Sequence, residues 1–345
     1  MRVYEIGDNK DGLTLHIVER PMPVPGYGEV LIKVMATGLN ARDLDIIRGL
    51  FFGVQPITRV PLSDMAGQVV EVGPGVTRVK PGDRVTMTHY WRWIDGSWNS
   101  DMAREDFSGT LDGNLAEYVV RPAEPLIPIP EYLSYEECST LQSAGLTAWN
   151  AVVAAGKVKT GETVVTIGTG GVSVFALQWA KMSGARAIVT SSSDAKLDIM
   201  RGHGADFGIN YMDHPNWAEQ VLELTDGRGA DVVVNNVGIA EMENCLNACG
   251  SGARVMYLGA NPTARHRPPA EPTAMKRFPN LILKDLTIKG VIVGSRRMFE
   301  DMLAAMTLHG TKPIIDRVYP FEQVLDAIRY MESGEKIGKI VIKVA

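Results

Sequence analysis

Thr163 to Ala180 reads TVVTIGTGGVSVFALQWA: a short apolar run, a cluster of glycines, then apolar residues at helical spacing. A strand that runs through a glycine turn into a helix opens a nucleotide-binding βαβ unit. One glycine makes the tight turn, a second lets the backbone approach a pyrophosphate, and a third allows close helix-to-strand packing. Gly168 and Gly170 stand in the first two places, and Gly171 adds freedom beside them. Ser173 stands in the third, where a side chain this small is compatible with the packing. The stretch is therefore expected to hold a dinucleotide through Gly168, Gly170, Gly171 and Val172.

The units that follow have the same rhythm. RAIVTSS leads into a helix to Gly202, DFGINY is a short strand, DVVVNNVG leads into a helix to Ala248, and RVMYLGA is another strand. Val/Ile-rich runs that do not alternate with polar residues, each followed by a helix, imply parallel strands covered on both faces. Before this region the pattern is different. EVLIKVMATGLN, SDMAGQVVEVGPGVTRVKPGDRV and GNLAEYVVRP alternate apolar with polar residues and break at glycine turns, which reads as an antiparallel β domain. After it come a strand in LTIKGVIVGS, helices in FEDMLAAMTLHG and FEQVLDAIRYMESG, and a closing strand in KIGKIVIKV. The segment 261–280, rich in Pro and basic residues, is expected to be a long loop, either solvated surface or a lid.

With 345 residues the chain has room for two domains. At 45% apolar and 22% charged residues, with a net charge of −5, the composition is that of an ordinary globular protein and gives no reason to expect a nucleic acid partner. No apolar run is long enough for a membrane span or a signal peptide, so a cytoplasmic protein is the expectation. Cys138, Cys245 and Cys249 form no C-x-x-C pair and read as buried free thiols, the last two on one helix face.

The end of the second strand of the nucleotide region selects the nucleotide. An acid there would bind a bare ribose 2′-hydroxyl and repel a 2′-phosphate. The sequence offers Ser191, Ser192 and Ser193 instead, with Lys196 as a counter-charge. NADP(H) is the expected cofactor; Asp194 keeps NAD(H) as the second choice.

Over nearly its whole length the chain resembles the medium-chain dehydrogenase/reductase superfamily. The resemblance is carried by GEVLIKVMATGLNARD, AGQVVEVGPGV, KPGDRV, GNLAEYVV, AGLTAW, TGGV and SGEKIGKIVIKV in that order. It implies an α/β protein: a GroES-like, mostly antiparallel catalytic domain from residues 1–144 and 293–345, around a Rossmann doubly wound domain at 145–292, with the active site in the cleft between them. It also implies cofactor contacts from Thr147, Asn236, Val237, Leu258, Val291 and Val293, and a phosphate contact from Lys339. Core packing is the alternative for each valine.

Zinc-dependent members of the superfamily carry a cysteine, a histidine and a third ligand at positions matching Asn40, Ser63 and Ser143. A thiolate or imidazole is missing from all three, and the lobe at residues 90–110 has no cysteine for structural zinc, so no metal is expected. Asn40-Ala41-Arg42-Asp43 with Ser63-Asp64 resembles the zinc-free quinone oxidoreductase and enoyl reductase branch. That branch implies hydride transfer from NADPH to a quinone or an activated C=C or C=O. One departure is RGLFFGVQP, where Phe51 and Phe52 stand in a loop in which enoyl reductases often have a tyrosine. An alcohol or aldehyde oxidoreductase without zinc, and a non-catalytic NADPH-binding protein of the crystallin kind, are the alternatives.

Without a metal, charge on the substrate oxygen needs hydrogen-bond donors or a proton. Asn40, Arg42, Asp43, Asp64, His89 and Tyr90 are the candidates by resemblance. Asn40 would orient a carbonyl oxygen, Tyr90 or His89 would donate a proton, and Asp43 would brace the loop. Trp91, Trp93 and Trp98 form either an aromatic wall for a planar substrate or a staple for the lobe. A homodimer joined through the strand in LTIKGVIVGS is the expected assembly.

Overall fold

The computed structural model describes residues 1–7, 15–51, 59–259 and 279–345. The chain divides into two compact units, Met1–Leu146 with Gly294–Ala345, and Thr147–Val293.

In the first unit β1 (Arg2–Ile6) and β2 (Leu15–Glu19) pair antiparallel. The eleven-residue β3 (Glu29–Leu39) precedes α1 (Ala41–Ile47), and β4 (Ala66–Val72), β5 (Arg84–Met87), β6 (Tyr118–Pro122) and β7 (Leu126–Pro128) follow, ending in the short α2 (Tyr135–Cys138). The helix α1 interrupts what reads as strand and turn in the sequence. Its start is stabilised by Asp43, whose Oδ2 accepts the Asn40 N–H at 2.8 Å, a device that turns β3 sharply into the helix.

The second unit begins within α3 (Leu146–Trp149), at Thr147. It contains β8 (Thr163–Ile167), α4 (Gly171–Met182), β9 (Arg186–Ser191), α5 (Asp194–Gly202), β10 (Phe207–Asn210), α6 (Trp217–Leu224), β11 (Ala230–Asn235), α7 (Met242–Ala248), β12 (Cys249–Tyr257), α8 (Pro279–Leu283) and β13 (Thr287–Gly290). The six strands form one parallel sheet in the order β10-β9-β8-β11-β12-β13. That is the doubly wound arrangement, with its reversal of winding between β8 and β11. All five residues of β8 are buried, as a strand covered on both faces must be. Only Thr287–Gly290 of LTIKGVIVGS is strand, and all four residues are exposed at the sheet edge.

The chain then returns to the first unit through α9 (Arg296–His309), β14 (Ile315–Pro320), α10 (Val324–Ser333) and β15 (Lys339–Lys343). The resulting seven-stranded sheet runs β14-β15-β3-β4-β5-β7, with β6 also on β3. β14, whose mostly exposed side chains leave no apolar signature in the sequence, pairs parallel with β15, while the other pairs of this sheet are antiparallel, so the sheet is mostly antiparallel as expected. The expected long loop lies outside the described residues except at Pro279 and Asn280, which open α8. No helix among the described residues is long and apolar enough to cross a membrane. All three cysteines are buried free thiols, but Cys249 opens β12 instead of sharing a helix face with Cys245, and its Sγ faces the Cys245 carbonyl at 3.1 Å.

At the winding reversal Ser173 does more than fit. Its Oγ donates to the Ile167 carbonyl at 2.7 Å and accepts from Asn236 Nδ2 at 2.9 Å. One hydroxyl thus ties the end of β8 to α4 and to the turn after β11. Ser173→Ala strands both partners in a buried place, and the expected loss is about 1–3 kcal/mol of unfolding free energy. Denaturant unfolding of the variant beside the wild type measures it; equal midpoints would contradict the bridge.

Candidate functional site

Two groups of residues account for the predicted site, one in each unit. In the second unit they gather at the carboxyl ends of the parallel strands. Gly168 follows β8 with φ +81, a conformation glycine adopts without strain, and open space surrounds the place where a Cβ would stand. Gly170 caps α4 with no side chain on the first-turn N–H groups, leaving them available to an anion. Val172, Val237, Leu258, Val291, Val293 and Thr147 are each partly exposed. Asn236 Oδ1 is buried without a hydrogen-bond partner among the described residues, beside the bridge that its Nδ2 makes to Ser173.

At the end of β9, Ser191 is buried and its Oγ accepts the Ser193 N–H at 3.3 Å, while Ser192 is exposed and Ser193 caps α5. Lys196 lies in the first turn of α5. Asp194 opens that helix, and its Oδ1 accepts from Asn210 at 3.2 Å.

In the first unit Asn40, Ser63 and Ser143 come from three distant parts of the chain into one buried polar cluster. Asn40 follows β3 and caps α1, Ser63 precedes β4, and Ser143 sits on the π-helical turn Leu141–Gly145, whose residues are all buried. Gln142 on the same turn bonds the Met65 amide and the Met87 carbonyl, which fixes the turn on β4 and β5. Ser63 Oγ and Ser143 Oγ lie 3.2 Å apart. Ser143 Oγ is 2.7 Å from Asp64 Oδ1 and 3.4 Å from His89 Nδ1.

Lys339 changes place relative to the expectation. It is 2% exposed, and its ammonium reaches the Leu39 carbonyl at 2.9 Å, Asn40 Oδ1 at 2.5 Å and Asp64 Oδ2 at 3.4 Å. Its three protons are spent inside the first unit, which leaves none for a phosphate. No sequence pattern links a lysine to Asp64 across 275 residues, so this contact is visible only in the structure. Desolvation lowers the Lys339 pKa from its usual value, and Asp64 and Asp43 oppose that.

Arg42 pairs with the Asp106 carboxylate and lies over the Phe51 ring at 4.9 Å. Phe52, the other aromatic of that loop, lies outside the described residues. Asp106 was not singled out in the sequence, where nothing links it to Arg42 across 64 residues. Burial and Asp106, against Arg42, push the Tyr90 phenol up to about 12, which makes it a weak acid at neutral pH. Tyr90 packs on Trp98, and Trp98 on Trp93, at 4.9 and 5.0 Å between rings, while Trp93 Nε1 bonds the Gly96 carbonyl at 3.0 Å. These rings therefore staple the lobe to itself. Burial, then Arg42, hold the His89 pKa well below the ordinary histidine value, so the imidazole is neutral.

With this geometry in place, the family can be read from comparison. Residues 26–131 match the alcohol dehydrogenase GroES-like domain, and residues 171–307 match the zinc-binding dehydrogenase domain. A zinc-type alcohol dehydrogenase-like protein of Schizosaccharomyces pombe is 36% identical over 322 residues, covering 92% of this chain and 91% of its own. The chain belongs to the medium-chain dehydrogenase/reductase superfamily. Among solved structures, an NAD-dependent alcohol dehydrogenase is 32% identical with a TM-score of 0.88, covering all of both chains. A mycobacterial protein solved with NADPH is 25% identical with a TM-score of 0.79, again over all of both. The chain is thus an alcohol dehydrogenase-like oxidoreductase, of a superfamily that binds a nicotinamide cofactor.

Asp43 gives the cluster a pH signature. Its carboxyl is pushed up from 3.8 to about 6, chiefly by burial and also by Asp64, against Arg42, the Asn40 amide and Lys339. The folded protein holds this proton more tightly than the unfolded chain does. Asp43 therefore adds its full stability below about pH 4 and loses it as the pH rises through about 6, a swing on the order of 2–3 kcal/mol. In thermal unfolding from pH 4 to 8, Asp43→Asn is expected to gain on the wild type as pH rises; a constant difference would show that Asp43 is not the titrating group.

Proposed function

We propose that this chain is a zinc-independent, NADP(H)-dependent oxidoreductase that interconverts a carbonyl compound and its alcohol, with quinones and activated alkenes as the other acceptor class to be tested. The reading rests above all on the donor set at the three positions where zinc-dependent relatives hold their ligands. Asn40, Ser63 and Ser143 offer an amide and two hydroxyls, which are weak zinc ligands beside thiolate and imidazole. Lys339 adds a positive charge 2.5 Å from Asn40 Oδ1, where a second cation would be repelled. The residues present do not fit zinc, although the relatives and the matched domain carry zinc in their names, and no step of the reaction is routed through it. Among the described residues, no group of three or more His, Cys, Asp or Glu could hold a metal ion.

The nucleotide end fits a dinucleotide: a positive-φ glycine, an uncapped helix N-terminus and an orphaned Asn236 Oδ1 stand together at the winding reversal. When bound, the nicotinamide supplies or accepts the hydride. Ser191, Ser192 and Lys196 favour a 2′-phosphate over a bare hydroxyl, and the names of the relatives include both NAD and NADPH. In the first unit Asn40 has its Oδ1 committed to Lys339, so its Nδ2 donates, with only a 3.4 Å contact to the Gly38 carbonyl competing for it among the described residues. That donor stabilises charge on the substrate oxygen. Tyr90, with its raised pKa, is the weaker choice for the proton.

Turnover of a panel of aldehydes, ketones, quinones and enones tests the whole reading. Activity is expected with NADPH above NADH, unchanged by chelators and by added zinc. Ser191→Asp should shift the preference toward NADH, and Asn40→Ala should lower kcat by about 100- to 1000-fold with NADPH affinity nearly intact. Stoichiometric zinc whose removal abolishes turnover would overturn the zinc-free part, and tighter NADH binding would overturn the cofactor part.

The assembly follows from the sheet edge. β13 exposes all four residues, and Ile282 and Leu283 before it are 83% and 79% exposed. An open edge with apolar neighbours pairs readily with a second strand, so we propose a homodimer through β13. Light scattering at micromolar concentration should give twice the chain mass, and Ile288→Lys should halve it. A monomeric wild type would rule the interface out.

A further inference from the structure

His89 is completely buried, and its two ring nitrogens are treated differently by their surroundings. Nδ1 lies 3.4 Å from Ser143 Oγ. Nε2 is buried with no hydrogen-bond partner among the described residues. Which nitrogen carries the proton follows from Ser143. Its hydroxyl has one proton, and three atoms surround it: Asp64 Oδ1 at 2.7 Å, Ser63 Oγ at 3.2 Å and His89 Nδ1 at 3.4 Å. The short contact to a carboxylate oxygen is the strongest of these and takes the proton. Asp64 Oδ1 is held in place for it by the Ser143 N–H at 3.0 Å and Asp64 Oδ2 by Lys339. Ser143 Oγ therefore turns lone pairs toward His89, and the favourable partner for a lone pair is an Nδ1–H.

We propose that Ser143 fixes neutral His89 as its Nδ1–H tautomer, so that the buried Nε2 is an acceptor reserved for the hydroxyl hydrogen of an alcohol. The depressed His89 pKa agrees with this, because an imidazolium would have no acceptor to offer. Ser143 is then a positioning residue, at the same place in the sequence where zinc-dependent relatives keep a ligand. The arrangement reverses the role expected for His89, since an Nε2 lone pair cannot donate a proton. It also separates substrate classes. A hydroxyl satisfies Nε2, whereas a carbonyl or quinone oxygen, or an ether, brings a second lone pair against it and leaves a buried acceptor unpaired. The site in this state holds the alcohol in preference to the carbonyl. The inference deepens the alcohol and carbonyl reading above and names the group that recognises the hydroxyl.

The tautomer is measured without any reaction. In protein labelled with ¹⁵N at histidine, the His89 signals, identified by their loss in His89→Gln, should show a protonated Nδ1 and an unprotonated Nε2. A protonated Nε2 overturns the proposal whether or not the protein turns over any substrate. Ser143→Ala should move the proton toward Nε2, and Ser143→Thr should restore the wild-type pattern; a tautomer indifferent to Ser143 overturns the positioning role. With NADPH present, so that no hydride can leave an alcohol, benzyl alcohol, cyclohexanol and 1-butanol are titrated against their methyl ethers. At least one alcohol is expected to shift the Nε2 resonance and to bind about tenfold more tightly than its ether. If no alcohol moves Nε2, its partner is water and the recognition role fails. Failure of carbonyl turnover with an intact tautomer and alcohol shift would instead count against the proposed function alone.

Discussion

A buried ammonium organises the first unit. Lys339 cannot remain charged in a dry interior without acceptors, and three converge on it: the end of β3, the amide of Asn40 and the carboxylate of Asp64. Each of these is fixed in turn. Asn40 is held by the Asp43 carboxylate at the start of α1, and Asp64 is held by the turn that carries Ser143. Asp64 on one side and Asn40 on the other thus receive their orientations from the same cation, which turns the Asn40 Oδ1 inward and leaves its Nδ2 on the other side of the amide. Removing the cation would leave a buried carboxylate and an unassigned amide flip, a larger change than the loss of one side chain.

The doubly wound half was legible because its signal is local. Each strand is a short apolar run and each helix follows within a few residues, so Thr163–Ala180 and its repeats could be read by eye. The sheet order, with β8 beside β11 at the centre, adds what local patterns omit. The β-rich half was less legible. β14 has mostly exposed side chains and so no apolar signature, and α1 is set by a carboxylate accepting one backbone amide, a contact without periodicity.

The candidate site divides in the same way. The glycine turn and the strand ends could be placed from sequence because they depend on backbone conformation, as the positive φ of Gly168 illustrates. The polar cluster could be listed but not wired. Arg42 with Asp106, Ser143 with His89, and Lys339 with Asp64 join residues 64, 54 and 275 positions apart. No spacing rule reaches across such distances, and the burial of the Lys339 ammonium among its three acceptors is not legible in GKIV. Ser173 is the opposite case. It departs from the glycine pattern, yet the departure supplies a hydroxyl that two neighbours use.

The first unit is also discontinuous in the chain, and this bears on synthesis. Asp64 is made 275 residues before Lys339, which at ordinary elongation speeds is roughly 14 to 55 s. Throughout that interval β3 lacks its neighbour β15, while every strand of the second unit has already left the ribosome by the time the last segment is translated. The nascent first unit therefore holds an acid without its counter-cation and an unpaired central strand edge. Its polar cluster is the last part of the molecule to be assembled, and a ribosome that stops between Val293 and Lys339 releases a chain whose second unit is whole and whose first unit is not.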